Sequence, residues 1–173
     1  MDKQIYSFKE FTPEIHTGAF IFPGVKIIGR VEIGQDSGIW YNSVVRGDVN
    51  FIKIGPGTNI QDLSVLHVTA NNPLIIGNDV TVGHAVKLHG CTIEDKCLIG
   101  IGSVVLDGAR VESNSIVAAG AVVTPGFTVP SGKLVAGVPA KVVRDLTPLE
   151  IEDIAHSANR YIEYARESMK EKE

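Results

Sequence analysis

This sequence has little cysteine, few aromatics and no excess of basic charge. Its two cysteines, Cys91 and Cys97, form neither a disulfide framework nor a C-x-x-C metal motif, so they read as small core or corner residues. A soluble, reducing compartment, the cytoplasm, is the expected location. A formal charge of −4 over 173 residues argues against a nucleic-acid partner, which would call for a basic patch. No apolar run reaches membrane-spanning length, and Met1-Asp2-Lys3-Gln4 does not open a secretory pattern, so no membrane partner is expected. Aromatics make up 6% of the chain, whereas glycine occurs 18 times. That balance suits many short strands and tight corners in one domain long enough to bury its own core.

What the chain does contain is a repeat of six. From Ile15 the step runs Ile21, Ile27, Ile33, Ile39, Val45. After three extra residues it resumes at Ile54, Ile60, Leu66, and after four more at Ile76, Val82, Leu88. One residue is then missing, and the step continues from Ile93 to Val135. All twenty anchors are Ile, Val or Leu. The position four after each anchor is usually small or β-branched, as in Ser37, Ser43, Thr58, Ser64, Thr92 and Ser103. A period of six matches neither a helix at 3.6 nor an uninterrupted strand at 2, but it matches a short strand and a corner repeated many times.

The chain thereby resembles the hexapeptide-repeat proteins, in which three hexads make one triangular turn. The resemblance implies an all-β solenoid, a left-handed parallel β-helix of nearly seven turns about 4.8 Å apart. Residues 1–140 make the coil. Residues 141–173 make a tail and an amphipathic helix packed on it, within the same domain. Thr147-Pro148-Leu149-Glu150 predicts the helix start, with Thr as N-cap, Pro at N1 and Glu closing a capping box. Its apolar face follows Ile151, Ile154, Ala158, Ile162 and Ala165, and its Glu/Lys-rich end is expected to fray.

Residues three anchors apart lie above one another. Arg46, His67 and His89 each follow an anchor by one position and form one vertical column. Asp62 and His84 each follow an anchor by two and form a second column on another face. His67 and His89 are therefore neighbours able to share a metal, since neutral imidazole suits zinc, iron and copper. His84 joins them at one ion only if an adjacent subunit supplies it, which a closed threefold ring would do three times over. The three breaks in the repeat fall beside these columns. His16 and His156, by contrast, read as solvated or hydrogen-bonded to neighbours.

The set Ile39-Trp40, Val45-Arg46-Gly47-Asp48, Asn59-Ile60-Gln61-Asp62, Leu66-His67, Val82-Gly83-His84 and Leu88-His89-Gly90 resembles the γ-class carbonic anhydrases. The resemblance covers nearly the whole chain. It implies a homotrimer interconverting CO2 and bicarbonate on Zn2+, with Fe2+ or Co2+ as alternatives. The ligands it implies are His67 and His89 from one subunit and His84 from the next. It gives Arg46 and Asp62 a pairing across the interface, with Asp48 in the same supporting set. Gln61 corresponds to the residue that orients the metal-bound water. Asn59 is placed beside it, and Tyr161 on the helix is a further candidate. The archaeal prototype carries a glutamate directly after its Arg-Gly-Asp and another in an acidic loop. This chain has Val49 at the first place and Val68-Thr69-Ala70-Asn71-Asn72-Pro73 at the second, so the proton shuttle is unassigned. Two other readings stand beside this one. They are a metal-binding trimer without CO2 turnover, and a hexapeptide acyltransferase using coenzyme A and a single histidine.

Overall fold

The computed structural model describes residues 4–170 and is a parallel β-solenoid of about seven turns with one C-terminal helix. Met1-Asp2-Lys3, and with residues 171–173 the last part of the Glu/Lys-rich end expected to fray, lie outside the described residues. Three stacks of short parallel strands make the faces of a prism. The first stacks Ile27, Val45, Leu66, Leu88, Val105 and Val123. The second runs from Ile15 through Ile33, Ile54 and Ile76 to Val129. The third runs from Ile21 through Ile39, Ile60, Val82 and Ile99 to Val135. Two long strands, Lys26–Ile33 and Val44–Ile54, pass round the corner between the first two faces and join them into one sheet.

The six-residue period follows from this geometry. Each turn contributes one short strand to a face, so the anchor side chain points inward once per hexad, and the corner residue four positions later is buried beside it. The anchors from Ile27 onward are all buried, and together they fill the prism axis. Burying each such aliphatic side chain stabilises the coil by about 1.5–3 kcal/mol. Corner positions carry the second constraint, because a backbone that turns leaves carbonyls without a ladder partner. Ser37, Ser43, Thr58 and Ser64 are fully buried there and donate their hydroxyls to the carbonyls of Gly55, Gln61, Gly77 and Gly83 on the next turn, at 2.8–3.1 Å. Where the repeat loses a residue the corner shifts: Cys91, not Thr92, is the buried one, and Cys97 fills the following corner. Burial pushes both thiols up to about 12, so they stay neutral and inert.

The coil ends in a tight turn, after which Lys141–Asp145 returns antiparallel on Lys133–Ala136. The helix Pro148–Lys170 then runs back over the third face. Its start is the expected capping box: the Glu150 amide donates to Thr147 Oγ1 at 3.3 Å, and the Thr147 amide donates to Glu150 Oε2 at 2.9 Å. Ile154, Ala158 and Ala165 are buried beneath it, the last in a cluster with Phe22 and Trp40. Among the described residues no helix is long and apolar enough to cross a membrane.

Candidate metal centre

Parallel pairing puts Arg46 beside His67 and His67 beside His89 on successive turns of the first face. The inter-strand spacing then brings the rings together: His67 Nδ1 lies 3.0 Å from His89 Nε2, with ring centroids 5.0 Å apart. Their outer nitrogens each meet a carboxylate. His67 Nε2 is 3.1 Å from Asp48 Oδ1, and His89 Nδ1 is 2.6 Å from Asp107 Oδ1. Asp48 reaches His67 because the strand bulges after Gly47, where a Cβ would lie 2.5 Å from the Arg30 carbonyl oxygen. Burial would raise the Asp48 carboxyl, but hydrogen bonds from His67 and the Val49 amide, with the Arg46 charge, hold it below its ordinary value.

The second column stands on the third face. His84 Nδ1 is 2.8 Å from Asp62 Oδ2, and its Nε2 has no hydrogen bond among the described residues. The residues that follow, Leu63 and Ala85, occupy left-handed φ values of 62° and 57° at corners where later turns use Gly102 and Gly120. Such a backbone costs a residue with a Cβ about 1–2 kcal/mol. Leu63 is also 60% exposed, an apolar side chain spent on the surface. Within the chain Arg46 pairs with Asp48 and not with Asp62. Among the described residues no three His, Cys, Asp or Glu side chains converge on one point.

A buried polar chain lies beside the second column. Gln61 Nε2 donates to Asn59 Oδ1 at 3.1 Å, Asn59 Nδ2 donates to Thr81 Oγ1 at 3.0 Å, and Thr81 Oγ1 reaches Ser157 Oγ on the helix at 3.3 Å. Tyr161 stands beside them, its ring edge-on to Trp40. Burial first, and then the Asp62 charge, push the Tyr161 phenol above its ordinary value. A groove of about 550 Å³ opens between helix and coil, floored by Gly83, Gly100 and Ala118 and edged by Gln61 and Tyr161. His16 accepts a hydrogen bond from the Gly18 amide, and His156 sits on the exposed helix near Glu152.

The donor set fits a divalent cation. A carboxylate only accepts, so His67 gives its Nε2–H to Asp48 and His89 its Nδ1–H to Asp107. The two facing nitrogens then both carry lone pairs, and at 3.0 Å these repel unless a cation or proton lies between or beside them. Two nitrogens on one tetrahedral zinc stand roughly 3.3 Å apart, from Zn–N distances of about 2.05 Å. Asp107 was not legible in the sequence: it sits in an ordinary Asp-Gly corner, Asp107-Gly108, one turn beyond His89.

These features define a hexapeptide-repeat solenoid with a stacked histidine pair. A family model described as bacterial transferase hexapeptide (six repeats) matches residues 90–125. A carbonic anhydrase from Geobacillus kaustophilus is 50% identical over 159 residues, covering 92% of this chain and 87% of that protein. Mitochondrial γ carbonic anhydrase 1 of Arabidopsis thaliana is 46% identical over 160 residues, and there the match covers 89% of this chain but only 58% of the plant protein. A solved hexapeptide transferase family protein from Anaplasma phagocytophilum superposes with a TM-score of 0.93 at 42% identity, covering 96% of this chain and 98% of that one. The chain belongs to the γ-class carbonic anhydrase family.

Proposed function

We propose that the protein is a metal-dependent carbonic anhydrase that interconverts CO2 and bicarbonate at the interfaces of a homotrimer. The observation that carries this reading is the facing of His67 Nδ1 and His89 Nε2 at 3.0 Å, each ring held from behind by its own aspartate. His84 completes the set from the neighbouring subunit; its Nδ1 is engaged by Asp62 and its Nε2 is left for a ligand role. Zinc is the metal proposed, with Fe2+ or Co2+ able to replace it in an all-imidazole site. When bound, the metal lowers the pKa of water from about 15.7 to roughly 7, so that hydroxide is available near neutrality.

The chain's own residues do the rest. Gln61 is buried, and its amide NH2 is given to Asn59, which leaves its carbonyl oxygen to accept a hydrogen bond and orient the nucleophile. Asn59 is fixed in turn by Thr81, so the orientation of Gln61 is tied to the third face and, through Ser157, to the helix. Tyr161 lines the same groove as Gln61 and is a further candidate at this point. Arg46 of one subunit pairs with Asp62 of the next and sets the register between coils. The exposed Leu63, beside Asp62, gives that contact an apolar margin. A solvated, reducing cytoplasm suits two buried, unpaired thiols.

Val49 and the carboxylate-free loop 68–73 leave proton removal to solvent or buffer, so a modest turnover is expected. An acyltransferase reading, which the transferase relatives bring forward, accounts for one histidine and leaves the converging second ring without a role. Metal analysis of the purified protein tests the choice: one ion per chain supports the present reading, and none returns it to acyl transfer.

A further inference from the structure

We propose that Asp107 is a positioning residue for the metal centre: it fixes the tautomer and the tilt of His89 so that Nε2 carries the lone pair toward the metal. The inference rests on the metal-centre reading above. Three observations carry it. Asp107 Oδ1 is 2.6 Å from His89 Nδ1, and among the described residues no other group hydrogen-bonds that nitrogen. The contact comes from one turn below, and it exists because residue 90 is glycine: a Cβ on Gly90 would lie 2.7 Å from Asp107 Oδ1. Gly90 also holds φ at +52°, the corner where the repeat loses a residue, so the same irregularity that places His89 opens the path for the carboxylate.

The third observation is the pattern. Each of the three histidines has one ring nitrogen on a separate aspartate: His67 on Asp48, His84 on Asp62 and His89 on Asp107. An imidazole free in water prefers the Nε2–H tautomer, which would turn a proton instead of a lone pair toward the metal. A carboxylate at Nδ1 reverses that preference. Once a dication withdraws density from the ring, the Nδ1–H becomes a better donor, and the aspartate charge offsets part of the metal's. Asp48 and Asp62 belong to motifs proposed above to serve the interface as well, whereas among the described residues the Asp107 carboxylate hydrogen-bonds His89 alone. Its backbone carbonyl accepts from the Gly126 amide, a ladder bond that side-chain substitution leaves intact.

The test compares wild type, Asp107→Ala and Asp107→Asn by zinc competition against a chelator and by ¹H–¹⁵N long-range spectra of the metal-free protein at neutral pH. Asp107→Ala is expected to weaken zinc binding about ten- to hundred-fold. It should also move His89 from the Nδ1–H to the Nε2–H tautomer, with the far-UV spectrum and apo melting temperature unchanged. Asp107→Asn keeps the side chain's shape but can turn its NH2 to donate to Nδ1, so it should leave His89 in the Nε2–H tautomer and weaken zinc as Asp107→Ala does, a loss that a merely structural role would not give. Wild-type zinc affinity in Asp107→Ala, or an unchanged tautomer, overturns the proposal. A wild-type protein that takes up no zinc overturns the metal-centre reading, and the metal-free spectra keep that failure separate from a failure of the Asp107–His89 contact.

Discussion

His67 and His89, 22 residues apart in sequence, face each other across 3.0 Å because they occupy the same position on consecutive turns of one face. Neither ring is placed by a flexible loop. Both belong to three-residue strands whose central leucines, Leu66 and Leu88, are buried, so the pair is as rigid as the core beneath it. His84 stands on another face, so in the proposed site it comes from a neighbouring subunit.

The first prediction concerns that third ligand. His84→Ala should lose metal as completely as His67→Ala, although the two side chains lie on different faces of one chain. Inductively coupled plasma analysis of both variants, purified alongside wild type, decides it. Full metal occupancy in His84→Ala would sink the intersubunit arrangement.

The interface gives a second prediction. Arg46→Ala should shift the assembly toward monomers while the far-UV spectrum of the coil is kept, as read by light scattering and circular dichroism. Leu63→Gly should act in the same direction for a different reason. It removes an exposed apolar side chain and relieves a left-handed φ of 62°. The isolated coil should therefore keep its stability or gain by about 1 kcal/mol or less, while the trimer weakens. A Leu63→Gly trimer as tight as wild type would show that this corner lies outside the interface.

Gln61 separates metal binding from turnover. Gln61→Ala should retain one metal per chain and lower kcat by up to about a hundred-fold, because the nucleophile loses its orienting acceptor. Asn59→Ala should fall in between, since it acts through Gln61. Loss of metal in either variant would assign these residues to holding the ion instead.

The helix anchor sets an acid-range prediction. The hydrogen bonds from Arg144, and then from the Thr147 amide, hold the Glu150 carboxyl down at about 2. A depressed folded pKa means a contribution fully present above the unfolded value near 4.5 and lost as pH falls toward 2. Glu150→Gln should therefore loosen the helix at pH 7 and make little difference near pH 2, where wild type has lost the same contact. Helix-localised hydrogen exchange at the two pH values measures it; equal protection in both proteins at pH 7 would remove the anchor role.

Much of this was legible because one short strand per face in each turn leaves a period of six in the anchor side chains, and the stacking of Arg46, His67 and His89 follows from counting anchors. The capping box was legible because it is local chemistry between Thr147 and Glu150. Three things were not. The strand Lys141–Asp145 has all five side chains exposed, so no apolar alternation marks it. Cys91 replaces Thr92 in the corner because the deletion at Gly90 is taken up in the turn itself. Asp107 reads as a solvated turn residue, and only the missing Cβ at Gly90 explains how it reaches back to His89.

The central claim is that paired, aspartate-held imidazoles serve CO2 hydration, and its most direct test is stopped-flow hydration on anaerobically purified protein with metal assayed in the same sample. Turnover is expected to scale with bound zinc or iron and to be modest, rising with buffer concentration because no carboxylate shuttle stands at Val49 or in the loop 68–73. One metal per chain with no hydration above the uncatalysed rate would contradict it.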